Sequence, residues 1–261
     1  MTQHRKPIRV VLSIAGYDPS SGAGITADIK TIAAHGCYGI TCITALTVQS
    51  TQGVSRVVPV DGHAVSETLA RLADDVKIAA VKIGMLGSAE AARTVAEFLR
   101  LQAPRFVVLD PILRASSGAE LISKEGLQIL KSEILPQAYV ITPNIEEAAE
   151  LSGVPVANPR DMEAAARRLQ ELGARNVIVT GGHLDPPHDL LCRQDGKIIV
   201  LKGKRISSRS THGTGCAFST ALACRLALGD DLLQAAKAAK RFVEAAIKKA
   251  PKIGKGVGPV I

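Results

Sequence analysis

The segment STHGTGC (210–216) places small, flexible residues and a cysteine directly before the apolar run AFSTALACRLALG. The N-terminus of a helix carries unpaired N–H groups and about half a positive charge. Glycines let the backbone approach an anion closely. This segment is therefore predicted to hold an oxyanion or a phosphoryl group. The residues that would do so are Gly213, Thr214, Gly215 and Cys216.

The cysteine of this segment has two interpretations. The field of a helix N-terminus stabilises a thiolate, so we expect a lowered pKa for Cys216 if it lies in the first turn. Alternatively, Cys216 is a small buried hydrophobe at the helix entrance. The other cysteines have no such context and are expected to fill the core: Cys37, Cys42, Cys192 and Cys224.

Two further segments carry carboxylates that suit a metal ion. In TPNIEEAAEL, Asn144 and Glu147 stand three residues apart at a helix start, so both face one side of the first turn. They either hold a hydrated Mg²⁺, which needs only one or two protein carboxylates, or simply cap the helix. In VVLDP, Asp110 ends a strand. It assists the metal or a polar substrate group, or it bonds to loop backbone.

The glycine-rich segment GYDPSSGAG (16–24) connects a predicted strand to a predicted helix. It either clamps a small ligand against Asp18 and Asp28 or serves only as a connection. It matches neither GxxxxGK[ST] nor GxGxxG, so neither standard phosphate motif applies. His183 and His212 stand beside glycines and are expected to lie in loops near the same site. The histidines have no metal-binding spacing, so we expect no zinc site.

Composition limits the classes of function. Of 261 residues, 46% are hydrophobic but only 3% are aromatic, which argues against stacking platforms for single-stranded nucleic acid. The net charge of +8 suits an anionic ligand such as a nucleotide or a phosphate ester, or else reflects a solvated basic surface. Because the charge is spread along the chain, nucleic acid is not the expected partner. The cysteines form no CxxC pair, and the sequence has no pattern of a membrane span or a signal peptide. We therefore expect a reduced, cytoplasmic protein.

Apolar runs alternate with helical patterns along the chain. Strands are predicted over 8–16, 38–50, 78–86, 106–113, 138–144 and 176–183, with a hairpin over 190–204 that turns at Asp195-Gly196. Helices are predicted over 24–36, 64–76, 89–101, 145–153, 161–174, 217–229 and 232–250.

Repeated strand-then-helix units imply an α/β fold with a mostly parallel sheet and helices on both faces. We expect residues 1–261 to form a single domain. In such sheets, ligands bind at the carboxyl ends of the strands. The candidates are therefore the residues that follow the strands: 16–24, Gln49, Met85, Asp110, Asn144 and 180–183, together with STHGTGC.

Seven segments occur in the order seen in one enzyme family. They are SIAGYDPSSGAGITADIKT, ITALTVQSTQGV, VKIGML, VLDPI, TPNIEEA, GGHL and STHGTGCAFS. On these motifs, from about Ile8 to Ala250, the chain resembles the hydroxymethylpyrimidine kinase/phosphomethylpyrimidine kinase family of thiamine biosynthesis, which is part of the ribokinase superfamily. The resemblance implies a three-layer α/β/α ribokinase-like fold with a mostly parallel central sheet, and a homodimer.

The resemblance also implies an activity, the Mg²⁺-dependent transfer of the ATP γ-phosphoryl group to 4-amino-5-hydroxymethyl-2-methylpyrimidine and then to its monophosphate. The implied substrate-binding residues are Gly16, Asp28, Gln49, Met85 and Ile112, with Gln49 hydrogen-bonded to the ring. The implied nucleotide-binding residues are Asn144, Thr180 and Gly182, and the implied metal ligands are Glu147 and Asp110. Gly213–Cys216 match the anion hole, and Cys216 matches the group that takes the proton of the substrate hydroxyl.

The chain departs from the family pattern at a few positions. Tyr17 and Ser21 replace small residues or Gly, and Thr26 replaces Gln. Arg114 replaces an apolar residue, and Thr180 stands where Lys is usual. Sugar kinases of the superfamily generally carry Asp at the position of Cys216, whereas pyrimidine kinases and some pyridoxal kinases carry Cys. Two alternatives stay open: a pyridoxal or pyridoxine kinase, and a non-catalytic ligand-binding or regulatory protein with the same fold.

Overall fold

A computed structural model describes residues 7–115, 118–182 and 184–261, and its centre is a sheet of nine strands. The strands are β1 Val10–Tyr17, β2 Tyr38–Ser50, β3 Gly53–Pro59, β4 Ile78–Ile83, β5 Val107–Leu109, β6 Val140–Ile141, β7 Val177–Val179, β8 Asp189–Cys192 and β9 Ile198–Leu201. Their spatial order is β3-β2-β1-β4-β5-β6-β7-β8-β9. The neighbouring strands β2, β1, β4, β5, β6 and β7 pair in parallel. Strand β3 at one edge and strands β8 and β9 at the other are joined to them by antiparallel pairing. The mostly parallel sheet is confirmed.

In the described residues, eight α-helices connect and cover the strands. They are α1 Gly24–Ala34, α2 Gly62–Asp75, α3 Ala89–Gln102, α4 Lys124–Ile129, α5 Ile145–Ser152, α6 Pro159–Glu171, α7 Thr214–Ala227 and α8 Leu232–Lys249. A π-helical turn (Leu130–Ile134) and a 3-10 turn (Leu135–Gln137) follow α4. The helices predicted from the sequence are confirmed to within a few residues. In the described part of the chain, no helix has both the length and the apolar character needed to cross a membrane.

The helices form two layers because alternate residues of the central strands point to opposite faces of the sheet. Val11, Ala80 and Val108 pack in one apolar cluster with residues of α7 and α8. Leu12 and Val81 pack in a second cluster with residues of α2, α3, α5 and α6. The three-layer α/β/α arrangement is therefore confirmed.

Strand β3 and helix α4 are absent from the sequence-based prediction. Strand β3 lies at the edge of the sheet, and Ser55 and Arg56 within it are exposed, so it has no continuous apolar signal. Helix α4 has only six residues, which is too short for a helical period to be read from the sequence. The predicted hairpin is confirmed: β8 and β9 pair antiparallel, and Gly196 in the turn has φ of +79°.

Candidate active site

The candidate residues gather at one edge of the sheet, where the parallel strands end. Asp110 directly follows β5, and Thr180 directly follows β7. Asn144, which follows β6, forms an isolated bridge with Thr180. The start of α7 lies over the same edge, because Ser219 Oγ donates a hydrogen bond of 2.9 Å to Asp110 Oδ2.

Helix α7 begins at this edge without a side-chain cap. Its N-cap residue is Gly213, whose φ of +83° favours glycine. In contrast, the N-cap side chains of six other helices accept hydrogen bonds from their own first turns: Asp61, Ser88, Ser123, Asn144, Asn158 and Asp231. The first-turn N–H groups of α7 therefore meet no cap side chain that would compete with a bound anion.

Cys216 lies in the first turn of α7, and only 7% of its surface is exposed. Burial raises the pKa of its thiol to about 12; Lys82 acts in the opposite direction, and Asp110 and Asp28 reinforce the increase. The expectation of a lowered pKa is therefore wrong. The increase in pKa caused by the loss of water and by the two nearby carboxylates is larger than the decrease caused by the helix field and the lysine. At neutral pH, Cys216 is a neutral thiol.

Asn144 and Glu147 form a capping box at the start of α5. Asn144 Oδ1 accepts hydrogen bonds of 2.9 Å from the N–H groups of Glu146 and Glu147. Glu147 Oε2 accepts one of 2.9 Å from the N–H group of Asn144. The capping interpretation is confirmed, and the metal role remains a prediction. Burial, followed by the charge of Asp110, raises the pKa of Glu147 to about 8.

Asp110 and Glu147 fit a divalent cation by their chemistry. Burial raises the pKa of Asp110, although Lys82 and Ser219 oppose the effect. Because the charge of Asp110 also raises the pKa of Glu147, a cation near both would relieve their repulsion. Carboxylate oxygens are the ligands that Mg²⁺ prefers, and this ion keeps most of its waters. The described residues contain no cluster of three or more His, Cys, Asp or Glu suited to a metal.

Asp28 lies in a buried network of polar contacts. Its side chain is fully buried. Its Oδ2 accepts a hydrogen bond of 2.6 Å from Ser13 Oγ, and its Oδ1 accepts one of 2.7 Å from Thr220 Oγ1. Lys82 Nζ lies 2.9 Å from Oδ2 and 3.2 Å from Oδ1. Both oxygens of Asp28 therefore already bond within the protein interior, and the substrate contact that the resemblance implies remains a prediction.

Gly16, Met85 and Ile112 lie together beside an apolar surface. Met85 clusters with Ala45 and Leu121, and Ile112 packs against this cluster. We call Ala45, Met85, Ile112 and Leu121 the apolar wall. A Cβ atom on Gly16 would lie 2.8 Å from Met85 Sδ, so glycine allows the thioether to lie against β1. The apolar wall suits the face of a flat ring.

Gln49 belongs to a chain of polar contacts. His212 Nε2 lies 2.9 Å from Asp18 Oδ2 and 3.2 Å from Gln49 Nε2. Thr47 Oγ1 lies 2.9 Å from the carbonyl oxygen of Tyr17 and 3.0 Å from Gln49 Oε1. The imidazole nitrogen and the hydroxyl carry one proton each, so they donate to Asp18 and Tyr17. Exchanging the amide O and N of Gln49 makes the other two contacts compatible, since the NH₂ group then donates to Thr47 Oγ1, and Oε1 shares the single Nε2 proton of His212 with Asp18.

The loop after β1 and the segment before α7 are in close contact. A Cβ atom on Gly213 would lie 1.8 Å from the carbonyl oxygen of Gly22, and one on Gly22 would lie 2.1 Å from His212 Cδ2. Asp18 Oδ2 accepts hydrogen bonds from the N–H groups of Gly22 and Ala23 at 3.2 and 2.9 Å. Burial alone would raise the pKa of Asp18, but the hydrogen bonds, with His212 first, lower it. The two loops are therefore joined by backbone contact and by the Asp18–His212 pair.

Residues 256–260 pack against both His212 and the turn between β2 and β3. The N–H group of Val257 donates to the carbonyl oxygen of Thr51 at 2.9 Å. The N–H group of His212 donates to the carbonyl oxygen of Gly258 at 3.0 Å, and that of Val260 donates to the carbonyl oxygen of His212 at 3.2 Å. The backbone of His212 is thus held through both its donor and its acceptor.

Thr180 and Gly182 follow β7 on the side of Asn144. The N–H group of Thr180 donates to the carbonyl oxygen of Pro143 at 2.8 Å. The carbonyl oxygen of Gly182 accepts a hydrogen bond of 2.7 Å from Arg205 Nη1. Arg114, the other departure in charge, pairs with Glu150 of α5 at 3.3 Å. The predicted position of His183 lies outside the described residues.

The sequence-based prediction does not include Lys82 among the site residues. Its side chain is fully buried, pairs with Asp28 and lies 3.9 Å from Asp110 Oδ2. Burial alone would lower the pKa of this lysine, but Asp28, followed by Cys216 and Asp110, raises it. A single lysine between apolar residues of a strand in VKIGML is the signal by which the sequence marks this position.

Comparisons with known proteins agree with this geometry. The family model described as phosphomethylpyrimidine kinase matches residues 18–261. The thiamine biosynthesis bifunctional protein ThiED of Geobacter sulfurreducens is 44% identical over 96% of this chain, which spans 51% of that protein. The hydroxymethylpyrimidine/phosphomethylpyrimidine kinase of Aquifex aeolicus is 42% identical over 95% of this chain and 97% of that protein.

The fold is shared with solved kinases. The ADP complex of Bacillus subtilis pyridoxal kinase aligns with a TM-score of 0.89 and 34% identity, over 97% of this chain and 96% of that one. This chain is therefore a kinase with a ribokinase-like fold, and it belongs to the phosphomethylpyrimidine kinase family.

Proposed function

We propose that this kinase transfers the γ-phosphoryl group of ATP to the hydroxymethyl group of 4-amino-5-hydroxymethyl-2-methylpyrimidine, and then phosphorylates the monophosphate to the diphosphate. The observation that carries the proposal is the uncapped start of α7 at Gly213, on the sheet edge that also holds Asp110 and Glu147. Phosphoryl transfer depends mainly on positioning and on stabilising the charge of the transferred group. N–H groups at a helix start that no cap side chain occupies supply such stabilisation.

ATP and Mg²⁺ are the proposed co-substrate and cofactor. An ADP complex of a pyridoxal kinase with the same fold supports a nucleotide site, and we assign its protein contacts to Asn144, Thr180 and Gly182. Asp110 and Glu147 would hold Mg²⁺, which supplies neutralisation of phosphate charge when bound. The raised pKa values of both carboxyls support this assignment.

The pyrimidine would lie between the apolar wall and Gln49. The ring face contacts Met85 and Ile112, and the amide of Gln49 forms a hydrogen bond to the ring edge. His212 and Thr47 fix the direction of that amide. Gly16 contributes through the space that it leaves for Met85.

Because Cys216 is a neutral thiol, the backbone N–H groups contribute more to the proposed phosphoryl transfer than the cysteine does as a base. A thiol with a pKa of about 12 is not a preformed thiolate base at neutral pH. We therefore assign the main stabilisation to the N–H groups of Gly213–Cys216. Cys216 forms a side-chain hydrogen bond with Asp110, so the thiol can pass its own proton to that carboxylate while the sulfur accepts the proton of the substrate hydroxyl, which leaves the thiol neutral.

A pyridoxal or pyridoxine kinase is the second candidate. The structural match to a pyridoxal kinase favours it, because pyridoxal is also a flat heteroaromatic ring with a hydroxymethyl group. We further propose that residues 1–261 form one kinase domain that assembles as a homodimer. Exposed apolar side chains on paired strands β2 and β3 support the dimer: Leu46, Val48 and Val58.

The deciding experiment supplies the full-length protein with ATP, Mg²⁺ and either hydroxymethylpyrimidine or pyridoxal, and separates the products by chromatography. We expect both monophosphate and diphosphate from the pyrimidine, and a kcat/KM for the pyrimidine at least about tenfold above that for pyridoxal. A higher kcat/KM for pyridoxal would favour the second candidate, and background ATP turnover with both would favour a non-catalytic protein. Wild-type turnover by Cys216→Ala would remove the proton-accepting role from Cys216.

A further inference from the structure

Lys82 is fully buried between two carboxylates at the end of β4. Its Nζ lies 2.9 Å from Asp28 Oδ2 and 3.9 Å from Asp110 Oδ2. A buried ammonium is costly to maintain unless it is paired and hydrogen-bonded. A Cβ atom on Gly84 would lie 2.8 Å from Lys82 Nζ, so the backbone after β4 leaves just enough space for this charge. The structure thus devotes a specific interior site to it.

Both carboxylates that flank Lys82 hold the same helix. Thr220 Oγ1 donates to Asp28 Oδ1 at 2.7 Å, and Ser219 Oγ donates to Asp110 Oδ2 at 2.9 Å. Ser219 and Thr220 are adjacent on α7, three and four residues beyond Cys216, so they lie one turn below the first-turn N–H groups. The helix is therefore fixed at its second turn by two hydrogen bonds to charged acceptors, and Lys82 lies between those acceptors.

This buried network joins four parts of the fold in addition to α7. Ser13 comes from β1, Asp28 from α1, Lys82 from β4 and Asp110 from the residue after β5. Hydrogen bonds with a charged partner are stronger than neutral ones, and they persist in an interior where water does not compete. The N-cap of α7 has no side chain of its own. The position of its first turn therefore depends on the backbone contacts of Gly213 and His212 and on contacts further along the helix.

We propose that Lys82 is a positioning residue, which through Asp28 and Asp110 fixes α7 so that the N–H groups of Gly213–Cys216 face the transferred phosphoryl group. This inference rests on the proposed function for its catalytic consequence. A displacement of about 1 Å in a site of this kind is enough to reduce the rate by roughly 100-fold. Lys82 therefore acts on kcat without contacting ATP or the pyrimidine.

The first test uses Thr220, which links this network to α7 and lies outside the binding surfaces. Thr220→Val keeps the shape of the side chain but removes the donor to Asp28, whereas Thr220→Ser keeps the donor. We expect Thr220→Val to reduce kcat about tenfold, with KM for ATP and pyrimidine within about twofold of wild type. Hydrogen exchange of the amides in residues 214–218 should accelerate, while that of α8 stays unchanged. Thr220→Ser should restore both kcat and exchange.

The second test separates positioning from simple charge balance. Lys82→Met leaves two buried carboxylates unpaired and is expected to melt at a lower temperature. The double variant Lys82→Met/Asp28→Asn removes both members of the ion pair and is expected to recover the melting temperature, but not kcat or the slow exchange of residues 214–218. Recovery of kcat along with the melting temperature would overturn the proposal, as would wild-type exchange and kcat in Thr220→Val.

The exchange measurements need no substrate, so they stand apart from the proposed function. Faster exchange in residues 214–218 of the variants supports the positioning role even where the wild-type protein does not phosphorylate the pyrimidine. In that case the substrate assignment fails and the role of Lys82 is retained.

Discussion

At the scale of single residues, burial decides the chemical state of the candidate groups. Cys216 and Glu147 both have raised pKa values because their charged forms lose water. Asp18 shows the opposite outcome, since hydrogen bonds to its carboxylate outweigh burial and lower its pKa. Residue type alone predicts neither direction. The state of each group follows from whether the interior supplies donors or only removes solvent.

Glu147 should make stability depend on pH. Its pKa rises from 4.5 in the unfolded chain to about 8 in the folded protein, so the folded state retains a proton that the unfolded state releases. This contribution to stability is complete below about pH 4.5 and is lost as the pH rises toward 8. Relative to Glu147→Gln, the melting temperature of the wild type should therefore fall between about pH 5 and pH 8. Millimolar Mg²⁺ should offset the fall at the higher pH.

Glu146→Gln is the matched control for this experiment. It removes the same charge from the exposed neighbour of Glu147. The difference in melting temperature between this variant and the wild type should therefore change much less with pH. Gln at position 147 retains an acceptor for the capping box, so loss of the cap does not confuse the comparison. An equal difference between wild type and Glu147→Gln at both pH values would contradict the assignment.

At the scale of elements, the start of α7 combines a steric requirement with an open surface. Gly213 has φ of +83°, and a Cβ atom there would lie 1.8 Å from the carbonyl oxygen of Gly22. A Cβ atom on Gly215 would meet no atom within 4 Å. The two glycines therefore serve different purposes, although they are only two residues apart.

Gly213→Ala and Gly215→Ala should separate these purposes. Gly213→Ala is expected to lower the free energy of unfolding by about 1–3 kcal/mol because of backbone strain and overlap. Gly215→Ala should melt at or above the wild-type temperature, since alanine favours a helix, but should lose most phosphoryl transfer because the methyl group enters the anion site. Thermal melts and kcat measurements on both variants check this. A stable, fully active Gly213→Ala would contradict the first expectation, and a fully active Gly215→Ala the second.

The secondary elements near the site were predictable because their periodicity is local. The helix 24–36 and the strand 38–50 correspond to α1 and β2, and the rule that parallel sheets bind ligands at strand ends placed Asp110, Asn144 and Thr180 at one edge. The partners of Asp28 were not predictable. Its contacts come from Ser13, Lys82 and Thr220, which are distant in sequence, and no periodicity encodes which of them meet.

At the scale of the whole molecule, the sheet leaves an apolar surface uncovered at one edge. Leu46, Val48 and Val58 are 45%, 47% and 41% exposed. Leu46 and Val58 are directly paired between β2 and β3, and Val48 follows Leu46 on the same face because strand residues two apart share a face. Exposed apolar residues on adjacent strands are typical of a surface that another chain covers.

The proposed homodimer can be tested at this surface. Light scattering during size-exclusion chromatography should give the wild-type protein twice the chain mass of 27.3 kDa, because covering these side chains removes apolar area from water. Val48→Asp should shift the mass toward that of the single chain. Leu101→Asp, which places the same charge at an exposed leucine of α3, should leave the mass unchanged. A monomeric wild type, or a Val48→Asp variant that remains dimeric, would contradict this interface.

The contacts of residues 256–260 have a consequence for the order of biosynthesis. In the folded protein, the backbone of His212 bonds to the carbonyl oxygen of Gly258 and to the N–H group of Val260. During translation, the segment from β1 to α7 leaves the ribosome before residues 256–260 do. At that stage the sheet of the nascent chain is assembled, but the loop before α7 still lacks these partners. Such a nascent chain is expected to acquire its fold earlier than its ability to bind ligand.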